Sequence, residues 1–278
     1  MRVHLLGVRG STPAPGAEFV RYGGHTSCVA IAHDDAPVTL ILDAGTGIRR
    51  AGALLNGAAF SGTILLSHLH WDHVHGLPFF EAADRDDANV SVHLPDQEDE
   101  TEAVEVLARG MSPPHFPVRP DELRGKWFFA NLVPGIAPFE EFTVTTEEIP
   151  HKGGRTYGFR VGDGHSAIAY LPDHCPSVLG DGPDGWGEYH EAACDLVTGA
   201  DVLIHDAQLV SEELITEAHF GHAAAEYAVG LARHCGVPHV VLFHHKPDRT
   251  DDQLDQLAAR FDATPRVTVA TQSTVLNL

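Results

Sequence analysis

Three histidines and an aspartate fall within six consecutive positions, His68-Leu69-His70-Trp71-Asp72-His73, directly after the apolar run Thr63 to Leu66. Imidazole nitrogen and carboxylate oxygen are the donors that Zn²⁺ accepts at ~2.0–2.2 Å. Where a strand runs out into a turn, the alternate positions His68 and His70 point the same way, and Asp72 and His73 come round as the chain bends into a helix. Several ligands from one rigid strand end lower the ordering cost of a site, and two metals can share the segment. The segment cannot by itself fill two coordination spheres and a bridging position. Three further donors end apolar runs, which is where a sheet presents side chains to a cleft: His151 after Glu147-Glu148-Ile149-Pro150, Asp173 after Ala169-Tyr170-Leu171-Pro172, and His244 after Val240-Val241-Leu242-Phe243.

This pattern resembles the metallo-β-lactamase superfamily, whose HxHxDH signature is met in full by His68, His70, Asp72 and His73. The superfamily's further ligands, a His, an Asp and a His in that order, map onto His151, Asp173 and His244, so the resemblance spans nearly the whole chain. It implies one metal held by His68, His70 and His151, a second held by Asp72, His73 and His244, and Asp173 bridging them. It also implies Asp72 as a catalytic residue, and Asp43 in Leu42-Asp43-Ala44-Gly45 as a support for the ligand loop. Two divalent ions of this kind, Zn²⁺ first with Mn²⁺ or Fe also accepted by such donors, activate solvent at neutral pH and stabilise charge developing on a substrate oxygen. The implied fold is α/β (α+β), a four-layer αββα sandwich of two mixed sheets with helices outside and an active cleft at the strand ends.

A second pair, Asp206 in Leu203-Ile204-His205-Asp206-Ala207-Gln208 and His222 in His219-Phe220-Gly221-His222-Ala223, resembles the phosphodiesterase branch of the superfamily. There an acidic residue orients a histidine that stabilises the scissile phosphate or protonates the leaving oxygen. The resemblance therefore makes His222 catalytic and Asp206 its partner. Gly7-Val8-Arg9-Gly10-Ser11-Thr12-Pro13 and Arg21-Tyr22-Gly23-Gly24-His25-Thr26-Ser27-Cys28 also look like this branch, which includes transfer-RNA 3′-processing endonucleases and small cyclic-phosphate phosphodiesterases. His25 is a departure, since that position is commonly Asn. The glycines read equally as tight turns or as a phosphate-facing loop. His174, His205, His219 and His245 have no position in the family scheme.

The expected substrate is a small molecule. Transfer-RNA enzymes of this type insert a long basic arm between the ligands that match His151 and Asp173, and here only 22 positions separate the two. Lys plus Arg number 18 against 39 Asp plus Glu, a net charge of −21, and such a field repels phosphate polymers. A cyclic nucleotide or cyclic sugar phosphate fits better than a large nucleic acid. The cyclic phosphodiesterase of phosphonate breakdown carries an early cysteine-rich zinc site, for which this chain offers only Cys28. Two alternatives stay open: hydrolysis of a carbonyl substrate such as a lactone, thioester or β-lactam, and endonucleolytic RNA processing of the tRNase Z type.

The elements that must position these residues are legible as short runs. Strands are expected at Val3 to Gly7, Ser27 to Ala32, Val38 to Leu42, Thr63 to Leu66, Asn89 to Leu94, Phe142 to Ile149, Tyr157 to Val161, Ala167 to Leu171, Val202 to Ile204, His239 to Phe243 and Val267 to Ala270. Helical spacing marks Thr101 to Arg109, Ala223 to Cys235 and Asp251 to Phe261. The acidic run Asp96 to Glu105 reads as a solvated helix start rather than a cation site. Met111 to Gly125 carries four prolines, excludes regular structure, and reads as a lid or a surface connection.

No internal repeat or low-complexity linker divides the chain, so residues 1–278 are expected to form one domain. Hydrophobic residues make up 43%, yet no apolar stretch approaches bilayer length, and the N-terminus reads as the first strand of a cytoplasmic protein. Cys28, Cys175, Cys194 and Cys235 show no CxxC pair and read as buried free thiols. Superfamily members often form homodimers, although no periodic seam locates an interface.

Overall fold

The computed structural model describes residues 1–97, 101–261 and 264–278. Fourteen strands form two seven-stranded sheets among these residues. The first contains β1 (Arg2–Gly7), β2 (Cys28–Ala32), β3 (Leu40–Leu42), β4 (Ser61–Leu65), β5 (Asn89–Pro95) and β6 (Lys126–Leu132). The second contains β7 (Gly135–Phe139), β8 (Phe142–Glu148), β9 (Tyr157–Gly162), β10 (Ala167–Leu171), β11 (Val202–Asp206), β12 (His239–Phe243) and β13 (Arg266–Val269). β14 (Val275–Asn277) returns to the first sheet beside β1, giving the orders β14-β1-β2-β3-β4-β5-β6 and β13-β12-β11-β10-β9-β8-β7.

Alternation along the strands decides which side chains meet. Ile168 and Tyr170 on β10 join Ile204, Phe243, Val29, Ile31, Leu40 and Leu65 in a core between the sheets, whereas Ala169 and Leu171 face outward. The outward side of the second sheet is covered by α3 (Glu191–Val197), α5 (Ala225–His234) and α6 (Asp251–Ala258), with Leu196, Tyr227, Leu231 and Leu254 buried against it. On the other side, the 3₁₀ segment Thr46–Leu55 and α2 (Ala103–Ala108) cover the first sheet through Ile48, Ala51 and Val106. Two sheets with helical layers outside make the expected four-layer αββα sandwich. The remaining helices, α1 (Trp71–Val74) and α4 (Ser211–Glu217), are short.

Pairing direction brings the chemistry to one edge. β3, β4, β5 and β6 run parallel, and so do β10, β11, β12 and β13. β8 and β10 each pair antiparallel with β9, so they too point the same way. Asp43 and His68 therefore follow the carboxyl ends of parallel strands in the first sheet, while His151, Asp173 and His244 follow, and Asp206 ends, strands that run one way in the second.

Each of the eleven expected strands has a counterpart, but β6, β7 and β14 went unread. All three lie at sheet edges, where β7 tolerates Gly135 and Pro138 and β14 spans three residues. The turn into a helix expected at Asp72 and His73 is α1, whereas α3, α4 and the segment Thr46–Leu55 were also missed, because their apolar spacing is too short or too sparse to stand out. The proline-rich stretch is irregular except for one 3₁₀ turn at Pro120–Glu122. Of the acidic run Asp96 to Glu105, positions 98–100 lie outside the described residues, and Ala103 onward begins α2. All four cysteines are free, but only Cys28 and Cys175 are fully buried, so the expectation of buried thiols holds only in part for Cys194 and Cys235, which are partly buried against the core. Among the described residues no helix is long and apolar enough to cross a membrane.

Candidate metal centre

Asp43 anchors the ligand loop from behind. It follows β3 in a left-handed conformation, φ 61°, that turns its carboxylate into the gap between the sheets. Oδ1 accepts the Ser67 backbone N–H at 2.7 Å, and Oδ2 accepts the Ser67 and Tyr170 hydroxyls at 2.9 and 2.8 Å. His73 Nδ1 lies 2.8 Å from the same oxygen. An imidazole nitrogen facing a carboxylate donates its proton, so His73 Nε2 is left as a lone pair. His151 is fixed in the same way: Nδ1 donates to the Gly221 carbonyl at 2.6 Å and Nε2 is left to accept.

Those lone pairs face other acceptors. His73 Nε2 lies 2.9 Å from Asp173 Oδ1, 3.3 Å from Asp72 Oδ2 and 3.2 Å from His244 Nε2. His244 Nε2 is itself 3.0 Å from both Asp72 Oδ2 and Asp173 Oδ1. On the other side, His151 Nε2 lies 3.2 Å from His70 Nδ1 and 3.4 Å from Asp173 Oδ2, while His68 Nε2 is 3.6 Å from Asp173 Oδ2. His68 Nε2 is buried and has no hydrogen-bond partner among the described residues. Acceptors crowded this way repel one another unless a positive charge sits among them. Two donors bound to one tetrahedral ion at ~2.1 Å lie about 3.4 Å apart, which is the spacing found here.

Donor atoms lying within 4.8 Å of one another form two sets of four: His68, His70, His151 and Asp173, and then Asp72, His73, Asp173 and His244. Asp173 belongs to both. All seven expected ligands are thus brought together, and the donor chemistry fits a pair of divalent ions. Burial keeps the His68, His70 and His151 imidazoles below their usual range, so they offer lone pairs. His73 differs: burial would depress it, but Asp173, Asp72 and Asp43 outweigh burial and raise the ring well above its ordinary value, so an ion held by Nε2 displaces the proton those carboxylates otherwise favour there. Burial would raise Asp173, yet His244, His73 and His68 hold its carboxyl well below the usual range.

Asp206 and His222 stand beside this cluster. His222 Nδ1 lies 3.0 Å from Asp206 Oδ2, and Asp206 also accepts the backbone N–H groups of His174, Gln208 and Ala223. Burial alone would lower the His222 imidazole, but the Asp206 carboxylate, followed by Asp173 and Asp72, outweighs it and pushes the ring up to about 9. His222 lines an open cavity of about 410 Å³ together with His70, Asp72, His151, Asp173 and Phe220.

Sequence reasoning missed several supports. The Ser11 backbone N–H donates to Asp72 Oδ2 at 2.6 Å, from a left-handed residue with φ 60°. Gly10 packs so closely on His244 that an added Cβ would lie 2.4 Å from the ring. Both lie in the glycine-bearing stretch Gly7 to Pro13, whose residue types signalled a tight approach without saying to what. His25 is not in the cavity wall; its ring meets Thr46 Oγ1 at 3.1 Å and its backbone N–H meets Gln272. His174, His190 and His205 bond in series behind Asp206, and His245 holds the Ala270 carbonyl.

The family description "Beta-lactamase superfamily domain" matches residues 39–245. No curated protein matches the chain. Among solved structures, the metallo-beta-lactamase fold protein YhfI from Bacillus subtilis is 17% identical with a TM-score of 0.71, covering 99% of each chain. A diphosphatase of the PhnP family is 16% identical with a TM-score of 0.69, covering 100% of this chain and 97% of its own. Human short-form tRNase Z is 21% identical with a TM-score of 0.68, covering 100% and 99%. At these identities the likeness is one of fold, and the family match over most of the sequence places the chain in the metallo-β-lactamase superfamily.

Proposed function

We propose that the protein is a binuclear metal-dependent phosphodiesterase acting on a small substrate such as a cyclic nucleotide or cyclic sugar phosphate. The observation that carries this reading is the Asp206–His222 pair, 3.0 Å apart, at the wall of a cleft in which one carboxylate, Asp173, serves two four-donor sets. His68, His70 and His151 would hold one ion, Asp72, His73 and His244 the other, and Asp173 both, with Zn²⁺ the first choice for such donors. When bound, the ions supply Lewis acidity and a solvent nucleophile at neutral pH.

The chain's own groups do the rest. Asp43 and the Gly221 carbonyl fix the tautomers of His73 and His151, and the Ser11 N–H holds Asp72 in place. Asp206 engages His222 Nδ1, leaving Nε2 as the nitrogen available to donate to a phosphoryl or leaving oxygen. The similarity in fold to a diphosphatase and to a tRNase Z supports phosphoester chemistry. The net charge of −21 and the 22-position gap between His151 and Asp173 favour a compact substrate over transfer RNA.

Steady-state assays of zinc-loaded protein on bis-p-nitrophenyl phosphate, on a panel of 2′,3′- and 3′,5′-cyclic nucleotides, and on lactones test the proposal. Turnover of phosphodiesters is expected. Turnover of lactones alone would overturn it.

A further inference from the structure

A second cavity, of about 490 Å³, adjoins the metal cleft, and the two share Leu69 and Trp71 as a common wall. Its character is different. Trp71, Phe79, Leu107, Met111 and Phe116 line it, whereas five of the ten residues walling the metal cleft are histidines or aspartates. The rings are arranged as flat surfaces: Trp71 stacks on His75 with centroids 5.1 Å apart and planes 20° from parallel, and Phe79 meets Phe116 edge to face at 5.9 Å. Trp71 is 71% exposed and Phe79 52% exposed, an unusual disposition for large apolar rings standing together. Such a concave apolar surface beside a reactive centre is the ordinary form of a ligand subsite. Exposed Arg49 also borders this cavity and has no ion pair or hydrogen-bond partner among the described residues of a strongly acidic protein.

We propose that this cavity is a specificity subsite for a flat apolar ring carried by the substrate next to its scissile ester, with Arg49 favouring an electron-rich or anionic ring substituent. The proposal rests on the hydrolase reading, because the shared Trp71 wall sets the ring beside the bond cleaved in the metal cleft. It also gives the proline-rich stretch a role, since Met111, His115 and Phe116 close one side of the cavity. Edge-to-face and offset contacts with Phe79, Phe116 and Trp71 would hold a ring better than an alkyl group of equal area.

Calorimetric titration of the zinc-loaded protein with phenylphosphonate against methylphosphonate, and with phenylacetate against acetate, tests the subsite directly. The phenyl ligand is expected to bind on the order of tenfold or more tightly than its methyl partner, the effect of burying one ring. Phe79→Ala and Phe116→Ala should each bring that ratio toward one, and unchanged zinc content shows that the variants remain folded. A ring preference among phosphonates supports both the subsite and the phosphodiesterase reading. Preference confined to the carboxylates keeps the subsite and removes the phosphodiesterase. If phenyl and methyl ligands bind alike or not at all in both series, or if both variants retain the preference, the subsite is overturned.

Discussion

Asp206 holds His222 by a 3.0 Å contact between Oδ2 and Nδ1, and the same oxygen accepts the backbone N–H groups of His174 and Ala223. One carboxylate therefore fixes the histidine ring and both backbone segments that flank it. The ring is immobilised against the wall of the cleft before any substrate arrives, which is what a positioned proton donor requires.

His222→Ala should lower kcat by ~10²–10⁴-fold, the range for a lost acid or base group. Zinc content should not change, because the seven donors of the two sets remain. Loss of metal from this variant, measured by elemental analysis, would make His222 a structural residue.

Asp43→Ala should injure both stability and metal affinity. The substitution strands the Ser67 N–H, the Ser67 and Tyr170 hydroxyls and His73 Nδ1, all of which end on this buried carboxylate. Removing one partner of a buried charged network costs about 3–5 kcal/mol, and loss of such a support weakens metal binding ~10–100-fold. Urea unfolding and a zinc competition assay read the two effects separately. A variant with wild-type zinc affinity would contradict the role assigned to Asp43.

How much of this arrangement was visible in the sequence depends on how local it is. His68, His70, Asp72 and His73 declare themselves because one strand end carries them all. Asp173 and His244 were legible because each follows a run of apolar residues, and His151 because it follows the alternating strand Phe142 to Ile149; strands running one way within the second sheet then bring the three ends together. The contacts that orient the ligands were not legible. Ser11 to Asp72, Tyr170 to Asp43 and Gly221 to His151 are separated by 61, 127 and 70 positions, and two of them use a backbone N–H or carbonyl, which leaves no mark on residue type. The second cavity escaped for a similar reason: its walls come from the segment Thr46–Leu55, α1 and the turn after it at Leu77–Phe79, α2 and irregular chain after α2, and no single segment is apolar enough to announce it.

Acid should destabilise the fold partly through His93. The ring sits on β5 between Phe128 and Phe139, with Nε2 2.9 Å from Ser91 Oγ, and burial lowers its proton affinity below the ordinary imidazole range. The unfolded chain takes up a proton near pH 6.5 while the folded chain still refuses it. Between the lowered folded value and about 6.5, the unfolded state binds more protons, so stability rises with pH in that window and is lost as pH falls through it. His93→Gln should flatten this part of the profile, read as the change in unfolding free energy between about pH 7.5 and pH 5. An unaltered slope would show that His93 does not contribute.

The pairing of two ions through one carboxylate is tested most directly by zinc stoichiometry, measured by elemental analysis of zinc-loaded wild-type protein beside Asp173→Ala. Asp173 alone belongs to both donor sets. Two zinc ions per chain in the wild type and a clear loss in the variant are expected. A single ion in the wild type, or two ions retained without Asp173, would contradict the shared centre.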